Sequence, residues 1–376
     1  MNNSSLTVSI SIWTRTFQNF IISGLRNSKP GFFIKLIKGF VLVKFFGKKK
    51  IQYIEIMITH ACNAKCDFCS NTYYDRRGRS RLLNPEKVKK LIDEAASMDV
   101  PLICFLGGEP LLDPHLFSYV EYTWQKGMMA MVASNGQLLN KDNLSRLKES
   151  HIGKIVVTIY STDPKVNDEV TRFPGYLERA IDAIKLGKSM GIGMAIKTVV
   201  DSSHFASGEI DRIIALAQKL EVPLSVNPVV PTGAALFNYQ DKILDISLQY
   251  KLDELVRRHS FMSTHLNANY FGYGCPAGIA YLGITAYGDA IPCFFMPVSY
   301  GNVWDLSLKE IHDKILQTPL FKVGAKTCVA AYDKDLIRDL IRPCFVDESL
   351  SKQVPVPVEN HPKYDKVLKI LEISEK

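Results

Sequence analysis

The sequence predicts an α/β protein whose main domain is an open or partial (β/α)6 barrel of the TIM type. Six short apolar runs alternate with amphipathic helical segments after residue 50, and this alternation is typical of a parallel sheet. The runs are continuously apolar, which indicates strands that are buried on both faces. Six β/α units fall short of the eight of a closed barrel, so we expect a barrel that does not close.

Each element of this pattern follows from its residues. The first helix of the repeat begins with Asn84 as N-cap and Pro85 at its first position, two residue types that favour a helix N-terminus. The six predicted strands are residues 51–58, 101–106, 128–133, 153–160, 192–200 and 222–230. The predicted helices between them are residues 85–98, 114–127, 140–150, 175–191 and 208–221. In such barrels the functional side chains gather on loops at the carboxyl ends of the strands.

The first 50 residues differ in charge from the rest of the chain. They carry nine Lys or Arg and no Asp or Glu, whereas the remainder has 37 basic and 38 acidic residues. Residues 31–50 mix apolar side chains with lysines, and their longest apolar run is far below the roughly 18 residues of a membrane span. Two interpretations stay open. The segment is either a peripheral membrane anchor at the inner face of the membrane or a helix packed on the main domain.

Three cysteines lie close together directly after the first predicted strand. Cys62, Cys66 and Cys69 form a C-x3-C-x2-C run, and the next cysteine, Cys104, comes much later. Such a run in a chain with few other cysteines indicates metal binding in a reducing compartment, which predicts the cytosol. A zinc site would need a fourth ligand, for which His60 is available. Three thiolates favour an iron–sulfur cluster with one iron open to another ligand. Cys104 is expected to be a small buried residue without a ligand role.

The cysteine run, with Phe68 before its third cysteine, resembles the signature of the radical S-adenosylmethionine (SAM) superfamily. Two further motifs that resemble those of the family close the second and third predicted strands, GGEP at 107–110 and SNG at 134–136. The stretch 167–184, which contains Arg172, resembles another motif of the family. The resemblance implies a radical SAM core domain over residues 51–235.

The resemblance also implies two cofactors, a 4Fe–4S cluster on the three cysteines and SAM on its open iron. The expected chemistry is one-electron cleavage of SAM to methionine and a 5′-deoxyadenosyl radical that removes hydrogen from an unactivated carbon. Glu109 is expected to face the SAM ammonium and Arg172 its carboxylate. A flavodoxin or ferredoxin is implied as electron donor. The residues assigned to SAM are Phe68, Gly107, Gly108, Glu109, Pro110, Ser134, Asn135, Ser161 and Arg172.

The last third of the chain contains four further cysteines, Cys275, Cys293, Cys328 and Cys344. The segment between the first two resembles the opening of a SPASM or twitch domain, with a hairpin predicted at Gly288. Ala331 stands where a full SPASM domain has a further cysteine, so the resemblance favours a small twitch-like domain with one auxiliary 4Fe–4S cluster. Alternatively, one of the four cysteines is unligated and leaves a place for substrate. The predicted segments are 1–50, the core 51–235, a linker helix 236–268, the auxiliary domain 269–350 and a tail 351–376.

The sequence says little about the substrate. Four arginines crowd the loop after the cysteine run, at positions 76, 77, 79 and 81. They predict an anionic substrate or, alternatively, form a solvated basic loop. Together with the basic N-terminal segment they indicate a lipid-linked substrate. A peptide substrate is the main rival, because SPASM-type relatives modify peptides, although the segment before the first strand looks too short and basic for a leader-binding domain. Alternatives of another class are an iron–sulfur electron carrier without SAM chemistry and a zinc-dependent scaffold. No nucleic-acid motif is present.

Overall fold

The protein is described from a computed structural model. The described residues are 28–74, 81–239, 246–264, 274–323, 325 and 327–363.

Six parallel strands form the body of the protein, in the order in which they occur in the chain. Their bounds are β1 Tyr53–Thr59, β2 Leu102–Gly107, β3 Met129–Ser134, β4 Lys154–Thr158, β5 Met194–Val200 and β6 Leu224–Pro228. The main helices are α1 Pro30–Phe46, α2 Pro85–Ser97, α3 Leu116–Gln125, α4 Lys141–Glu149, α5 Pro164–Thr171, α6 Tyr176–Ser189, α7 Ser202–Ala206 and α8 Glu209–Leu220. The predicted α/β fold class and partial barrel are confirmed.

Two further strands extend this sheet at its two edges. At one edge a short strand β7, Met262–Ser263, pairs parallel with β6. At the other edge β8, Tyr281–Ile284, pairs parallel with β1 and continues through Gly288 into the antiparallel strand β9, Ala290–Ile291. The predicted hairpin is therefore present, and it belongs to the same sheet as the barrel strands.

The helix-facing residues of the strands form a dry core. Ile54, Ile155 and Ile196 are all at most 1% exposed, and they pack against apolar residues of the surrounding helices. The intervening residues of β1, β4 and β5, such as Glu55, Lys154 and Lys197, are only partly buried. Because successive side chains of a strand point to opposite faces, these polar residues lie on the concave, interior face of the sheet.

Helix α1 covers the end of the sheet at which the strands begin. Phe32 and Leu36 of this helix are buried against Leu102 and Met129, the first residues of β2 and β3. The helix ends at Gly47, which has a left-handed conformation with φ 60°. Part of the N-terminal basic segment is thus a helix packed on the main domain. None of the helices in the described ranges is both long and apolar enough to cross a membrane.

The chain beyond β6 consists of short helices and the β8–β9 hairpin. The helices are α9 Ala235–Asn238, α10 Ile246–Arg258, α11 Leu308–Leu316, α12 Pro319–Val323, α13 Val329–Tyr332, α14 Lys334–Leu336, α15 Pro343–Val346 and α16 Glu348–Ser351. The extended part of the tail contributes β11, Val356–Pro357, which pairs with β10, Val298–Ser299. Residues 364–376 of the predicted tail lie outside the described residues.

Candidate active site

The three-cysteine run lies on the loop after β1, where the sequence predicts it. Backbone hydrogen bonds fix this loop from two sides. The Lys65 and Asp67 N–H groups donate to carbonyls at the end of α5, Thr171 at 3.0 Å and Val170 at 3.0 Å. On the other side the Ala234 N–H, at the start of α9, donates to the Cys69 carbonyl at 3.0 Å. The loop is therefore tied to both the fourth and the sixth β/α units.

The three thiols are close enough to influence one another. Burial raises the pKa of Cys66, and the neighbouring charges of Cys69 and Cys62 raise it further. Cys62 is the exposed member of the group. Its sulfur accepts a hydrogen bond from the Ala64 N–H at 3.4 Å and lies 3.9 Å from the Asn135 side-chain nitrogen. Hydrogen bonds of this kind to cluster sulfur ligands tune reduction potentials.

The residues present fit a cluster better than a single metal ion. Within the described ranges no three side chains of His, Cys, Asp or Glu converge as ligands of one ion. A 4Fe–4S cluster binds each thiolate through a separate iron, so its cysteines lie farther apart than the ligands of one ion. Three thiols on one anchored loop, near enough to affect one another's pKa, are the donor set that such a cluster uses.

Gly107 and Gly108 let the end of β2 approach the cysteine loop closely. The Gly108 N–H donates to the Thr59 carbonyl at 2.9 Å, and the Glu109 N–H donates to the Ala61 carbonyl at 2.7 Å. A Cβ on Gly107 would lie 2.4 Å from the Thr59 oxygen, and one on Gly108 would lie 2.2 Å from the Ala61 oxygen. No side chain fits in either place, so the Gly-Gly pair is a steric requirement of this loop.

Glu109 joins the ends of β2 and β3. Its carboxylate accepts hydrogen bonds from the Ser134 hydroxyl at 2.9 Å, the Asn135 N–H at 2.8 Å and the Leu111 N–H at 3.2 Å. The residue is 0% exposed. Burial raises the pKa of Glu109 to about 7, against the opposing effect of these donors. The carboxylate is therefore engaged by the protein, and its predicted contact with an ammonium stays a prediction. Pro110 follows it and begins a short 3-10 turn.

Asn135 lies between the Glu109 turn and the cysteine loop. Its side-chain nitrogen donates to the Asn63 side chain at 2.6 Å. The structure thus brings the cysteine loop, the GGEP turn and the SNG turn together, as the motifs predict. Ser161 is also at a strand end, but it is buried, and its hydroxyl accepts from the Asp163 N–H at 3.1 Å at the start of α5.

Arg172 lies beside the cysteine loop and pairs with a residue inside it. The guanidinium contacts the Asp67 carboxylate at 2.8 Å and 3.1 Å, and the Arg172 side chain is 63% exposed. Its backbone is left-handed, with φ 52°, at the end of α5. The arginine is correctly placed to reach a group at the cysteine loop. Asp67 is its partner in this structure, which the sequence motifs did not reveal.

Behind the cysteine loop lies a buried polar network that sequence reasoning missed. Phe68 stacks on Tyr160, with ring centroids 5.4 Å apart and planes 12° apart. The Tyr160 hydroxyl donates to Asp201 at 2.7 Å, and His204 contacts Asp201 at 3.0 Å. Burial alone would raise the pKa of Asp201, but hydrogen bonds from His204, Ser203 and Tyr160 outweigh burial and lower it. The sequence did contain one signal for this network. Asp201 directly follows the fifth strand, as the GGEP and SNG motifs follow or end their strands.

A second missed group lies on the interior face of the sheet. Both carboxylate oxygens of Glu55 accept tyrosine hydroxyls, from Tyr53 and Tyr281, each at 2.6 Å. Tyr281 belongs to β8, so this contact joins the auxiliary segment to β1. Lys197 of β5 is partly buried on the same face, and no carboxylate of the described residues pairs with it. A charged residue within an apolar strand was the available signal.

Three of the four downstream cysteines lie near one another. Burial raises the pKa of Cys328, and the charges of Cys275 and Cys293 raise it further. The thiol of Cys344 is also buried, but it contacts the Leu340 carbonyl at 3.2 Å. Burial raises the pKa of Cys344, and Cys344 and Cys293 both lie near enough to Tyr74 to raise the pKa of its hydroxyl. Of the predicted arginine loop, only Arg81 lies in the described residues, and its guanidinium packs 3.6 Å from the centre of the Trp304 ring.

The fold and the site together define the class of protein. It is a partial β/α barrel with three thiols on the loop after its first strand and a Gly-Gly turn packed against that loop. Residues 56–203 match the family model described as the radical SAM superfamily, and this range contains all the strand-end motifs described above. Residues 56–203 of the chain therefore form a domain that matches the radical SAM superfamily.

Relatives and solved structures agree with this assignment. The chain is 24% identical to an AdoMet-dependent heme synthase of Methanosarcina barkeri over 281 residues, which cover 68% of this chain and 80% of the relative. It is 26% identical to the mycofactocin maturase MftC of Mycolicibacterium smegmatis over 292 residues, or 76% of this chain and 71% of the relative. Streptococcus suis SuiB bound to S-adenosylmethionine shares the fold, with a TM-score of 0.58 and 18% identity over 73% of this chain and 68% of that one.

Proposed function

We propose that this protein cleaves SAM reductively on a 4Fe–4S cluster held by Cys62, Cys66 and Cys69, and uses the product radical to remove hydrogen from a small anionic substrate. The observation that carries the proposal is the meeting of these three thiols with the GGEP and SNG turns at one end of the sheet. The chemistry that the cluster supplies when bound is one-electron splitting of SAM into methionine and a 5′-deoxyadenosyl radical. A cytoplasmic location and a flavodoxin or ferredoxin as donor follow from the same proposal.

The residues of the chain have distinct tasks in this reaction. The Gly107-Gly108 turn presents backbone groups at the cysteine loop, where no side chain intervenes. Arg172 can offer a planar pair of donors to the carboxylate of SAM if it exchanges Asp67 for that ligand. Phe68 and Tyr160 form an apolar, stacked wall behind the loop that limits access of water. Ser134 and Asn135 donate hydrogen bonds to Glu109, and these bonds fix the SNG turn against the GGEP turn.

Reductive cleavage of SAM is tested with anaerobically reconstituted protein, dithionite and SAM. We expect 5′-deoxyadenosine, detected by chromatography and mass spectrometry. Cys66→Ala should form none, because it removes a cluster ligand, whereas Cys104→Ala should retain the activity, because Cys104 is a buried residue of β2. Loss of activity in both variants, or its retention in both, would count against the assignment. An electron carrier without SAM chemistry would produce no 5′-deoxyadenosine at all.

We further propose an auxiliary 4Fe–4S cluster on Cys275, Cys293 and Cys328. These thiols are mutually close, which supports three of the four predicted ligands. Cys344 either supplies the fourth thiolate after turning away from the Leu340 carbonyl or leaves the fourth iron open. Iron content and electron paramagnetic resonance of the Cys344→Ala protein distinguish the two, because only a ligand substitution lowers the iron content or changes the spectrum of the auxiliary cluster.

The charges on the interior face support a small anionic substrate. Lys197 faces this interior without a carboxylate partner among the described residues. Lys154 of β4 lies on the same face, and burial lowers its pKa to about 8. A bound anion would compensate for the cost of burying these ammonium groups. Glu55, fixed by its two tyrosines, offers a carboxylate to a donor group of the same substrate. These groups favour a molecule with an anionic end.

The substrate class is tested with fractions of a cell extract. Uncoupled SAM cleavage is measured with each fraction, and we expect stimulation by metabolites that an anion exchanger retains. Lys197→Gln should lose this stimulation and keep the uncoupled cleavage, whereas Lys197→Arg should keep part of the stimulation and all of the uncoupled cleavage. If protease treatment abolishes the stimulation, the result would favour a peptide substrate, which is the second candidate.

The second candidate is a peptide-modifying maturase. It is supported by the similarity to MftC, which is named as a mycofactocin maturase, over 76% of this chain. SuiB has also been solved bound to its precursor peptide SuiA, and that structure shares the fold with a TM-score of 0.57. Against it stand the similarity to heme synthases and the interior position of Lys197, with which no carboxylate of the described residues pairs.

A further inference from the structure

Helix α1 has two apolar faces, and only one of them packs on the described part of the protein. Phe32, Leu36 and Val43 are buried, at 0%, 7% and 4% exposure. On the opposite side Ile34, Ile37 and Phe45 are 64%, 55% and 71% exposed. With 100° between successive residues, these outward residues and Val41 lie within one stripe along the helix. A helix at the surface of a water-exposed protein normally turns a polar face outward.

This outward stripe is the main concentration of exposed apolar surface in the described part of the chain. Five of the eleven large apolar side chains that are exposed there belong to α1. They are the four residues of the stripe, Ile34, Ile37, Val41 and Phe45, and the last residue of the helix, Phe46. The others are spread over several elements. A contiguous apolar patch of this kind marks a binding surface.

The net charge beside the stripe is positive. Lys35, Lys38 and Lys50 surround the single carboxylate of Asp99, at 3.7, 2.5 and 3.8 Å, which leaves a net positive charge beside the helix. Lys38 is 55% exposed at the edge of the stripe, and Lys48 is exposed just beyond the helix. Residues 1–50 contain no Asp or Glu.

We propose that the outward face of α1 binds the surface of an anionic lipid bilayer. Exposed Ile, Val and Phe side chains enter the boundary between headgroups and acyl chains, while the lysines contact lipid phosphates. The same charge disfavours a second copy of the chain as occupant, because two basic surfaces of this kind repel each other. The inference is independent of the reaction that the protein catalyses.

The proposal is tested by sedimentation of the reconstituted full-length protein with vesicles. The vesicles contain phosphatidylcholine alone or a mixture with phosphatidylglycerol. We expect binding to the anionic vesicles that weakens as salt is added. The double variant Ile37→Ser/Phe45→Ser should bind about tenfold more weakly, since it removes two apolar side chains from the stripe.

Tyr250→Ser is the matched control. Tyr250 is 63% exposed on α10, between the values of Ile37 and Phe45, so this change removes a similar exposed ring elsewhere and should leave vesicle binding unchanged. All three proteins should form 5′-deoxyadenosine equally, which shows that they are folded. Equal vesicle binding of the double variant and wild type, or equal binding to neutral and anionic vesicles, overturns the proposal. A dimer in analytical ultracentrifugation that the double variant fails to form also overturns it, because a second copy then covers the stripe.

Discussion

Individual side chains at the candidate site form hydrogen bonds and an ion pair with other residues of the protein. Glu109 has all its hydrogen bonds with the turns after β2 and β3. Arg172 is paired with Asp67. The contacts of Glu109 with Ser134 and Asn135 and the Arg172–Asp67 pair each join a residue of one β/α unit to a residue of another, and so help to assemble one site. Two of them can be tested by substitution.

Glu109 should make stability depend on pH. Its pKa is raised from 4.5 to about 7 by burial. Between these values the folded protein keeps a proton that the unfolded chain has lost, so the free energy of unfolding falls as the pH rises. From pH 5 to pH 8 the wild type should lose about 2.5 kcal/mol relative to Glu109→Gln, measured by urea unfolding.

Glu149→Gln serves as a control for this comparison, because Glu149 is an exposed residue of α4. It should retain the pH dependence of the wild type. A parallel pH dependence of wild type and Glu109→Gln would show that this carboxyl does not titrate in the window.

The roles of Arg172 and Asp67 can be distinguished by the KM for SAM of variants at each position. If the guanidinium binds the carboxylate of SAM, Arg172→Gln should raise the KM for SAM by about tenfold, because a charge-assisted, two-pronged contact is lost. Asp67→Asn should leave the KM unchanged or lower it, because it frees the guanidinium. Steady-state formation of 5′-deoxyadenosine measures both. Equal damage from the two variants would mean that the pair only holds the loop.

At the scale of elements, close backbone contacts decide where the site can form. The end of β2 passes so near the loop after β1 that hydrogen bonds of 2.7 and 2.9 Å join the two backbones. Only glycine permits this approach at Gly107 and Gly108. The geometry of the cysteine loop therefore depends on the second strand as much as on its own sequence.

Gly108→Ala should disrupt this junction. The new Cβ would lie 2.2 Å from the Ala61 carbonyl oxygen, a backbone atom, so we expect a loss of about 3 kcal/mol in stability and a lower iron content after reconstitution. Gly191→Ala is the control, because its Cβ would meet nothing within 4 Å. Its φ of 78° costs only about 1 kcal/mol. Urea unfolding and iron analysis measure both effects, and similar losses in the two variants would argue against a special role for Gly108.

The sequence pattern predicted the local elements well and their distant partners poorly. The six apolar runs became β1–β6, since each run carries its own signal for a buried strand. The pairing of Tyr281 in β8 with Tyr53 in β1 is different. It depends on contacts between remote parts of the chain, and β8 is too short to show a period. For the same reason the Asp67–Arg172 pair and the tyrosines around Glu55 could not be predicted, although the glutamate itself stands out in an apolar strand.

At the scale of the whole molecule, the auxiliary segment shares the sheet of the barrel. Strand β8 continues the sheet next to β1, and the Glu55–Tyr281 hydrogen bond crosses that boundary at 2.6 Å. Cys293 is the second residue after β9, and the Tyr74 hydroxyl donates to the carbonyl of the next residue, Phe294, at 3.1 Å. The two groups of cysteines are therefore attached to one continuous framework.

The Cys293→Ala variant should distinguish the function of the cysteines after β1 from that of the downstream cysteines. It should lower the iron content from about eight to about four atoms per chain, as expected for the loss of one 4Fe–4S cluster. Uncoupled formation of 5′-deoxyadenosine should continue, because the thiols after β1 are intact, while conversion of the stimulating extract fraction should stop. Iron analysis and both assays on one preparation provide the comparison. Unchanged iron content would rule out Cys293 as a ligand.

The position of α1 has a consequence for any molecule that must reach the cysteine loop. The helix packs where β2 and β3 begin, whereas the loop follows the end of β1, whose seven residues span about 20 Å. A protein resting on a bilayer through α1 would point its reactive end away from the lipid. Its redox partner could approach from open solution, and a hydrophobic-tailed substrate would have to be lifted out of the leaflet before hydrogen could be taken from it.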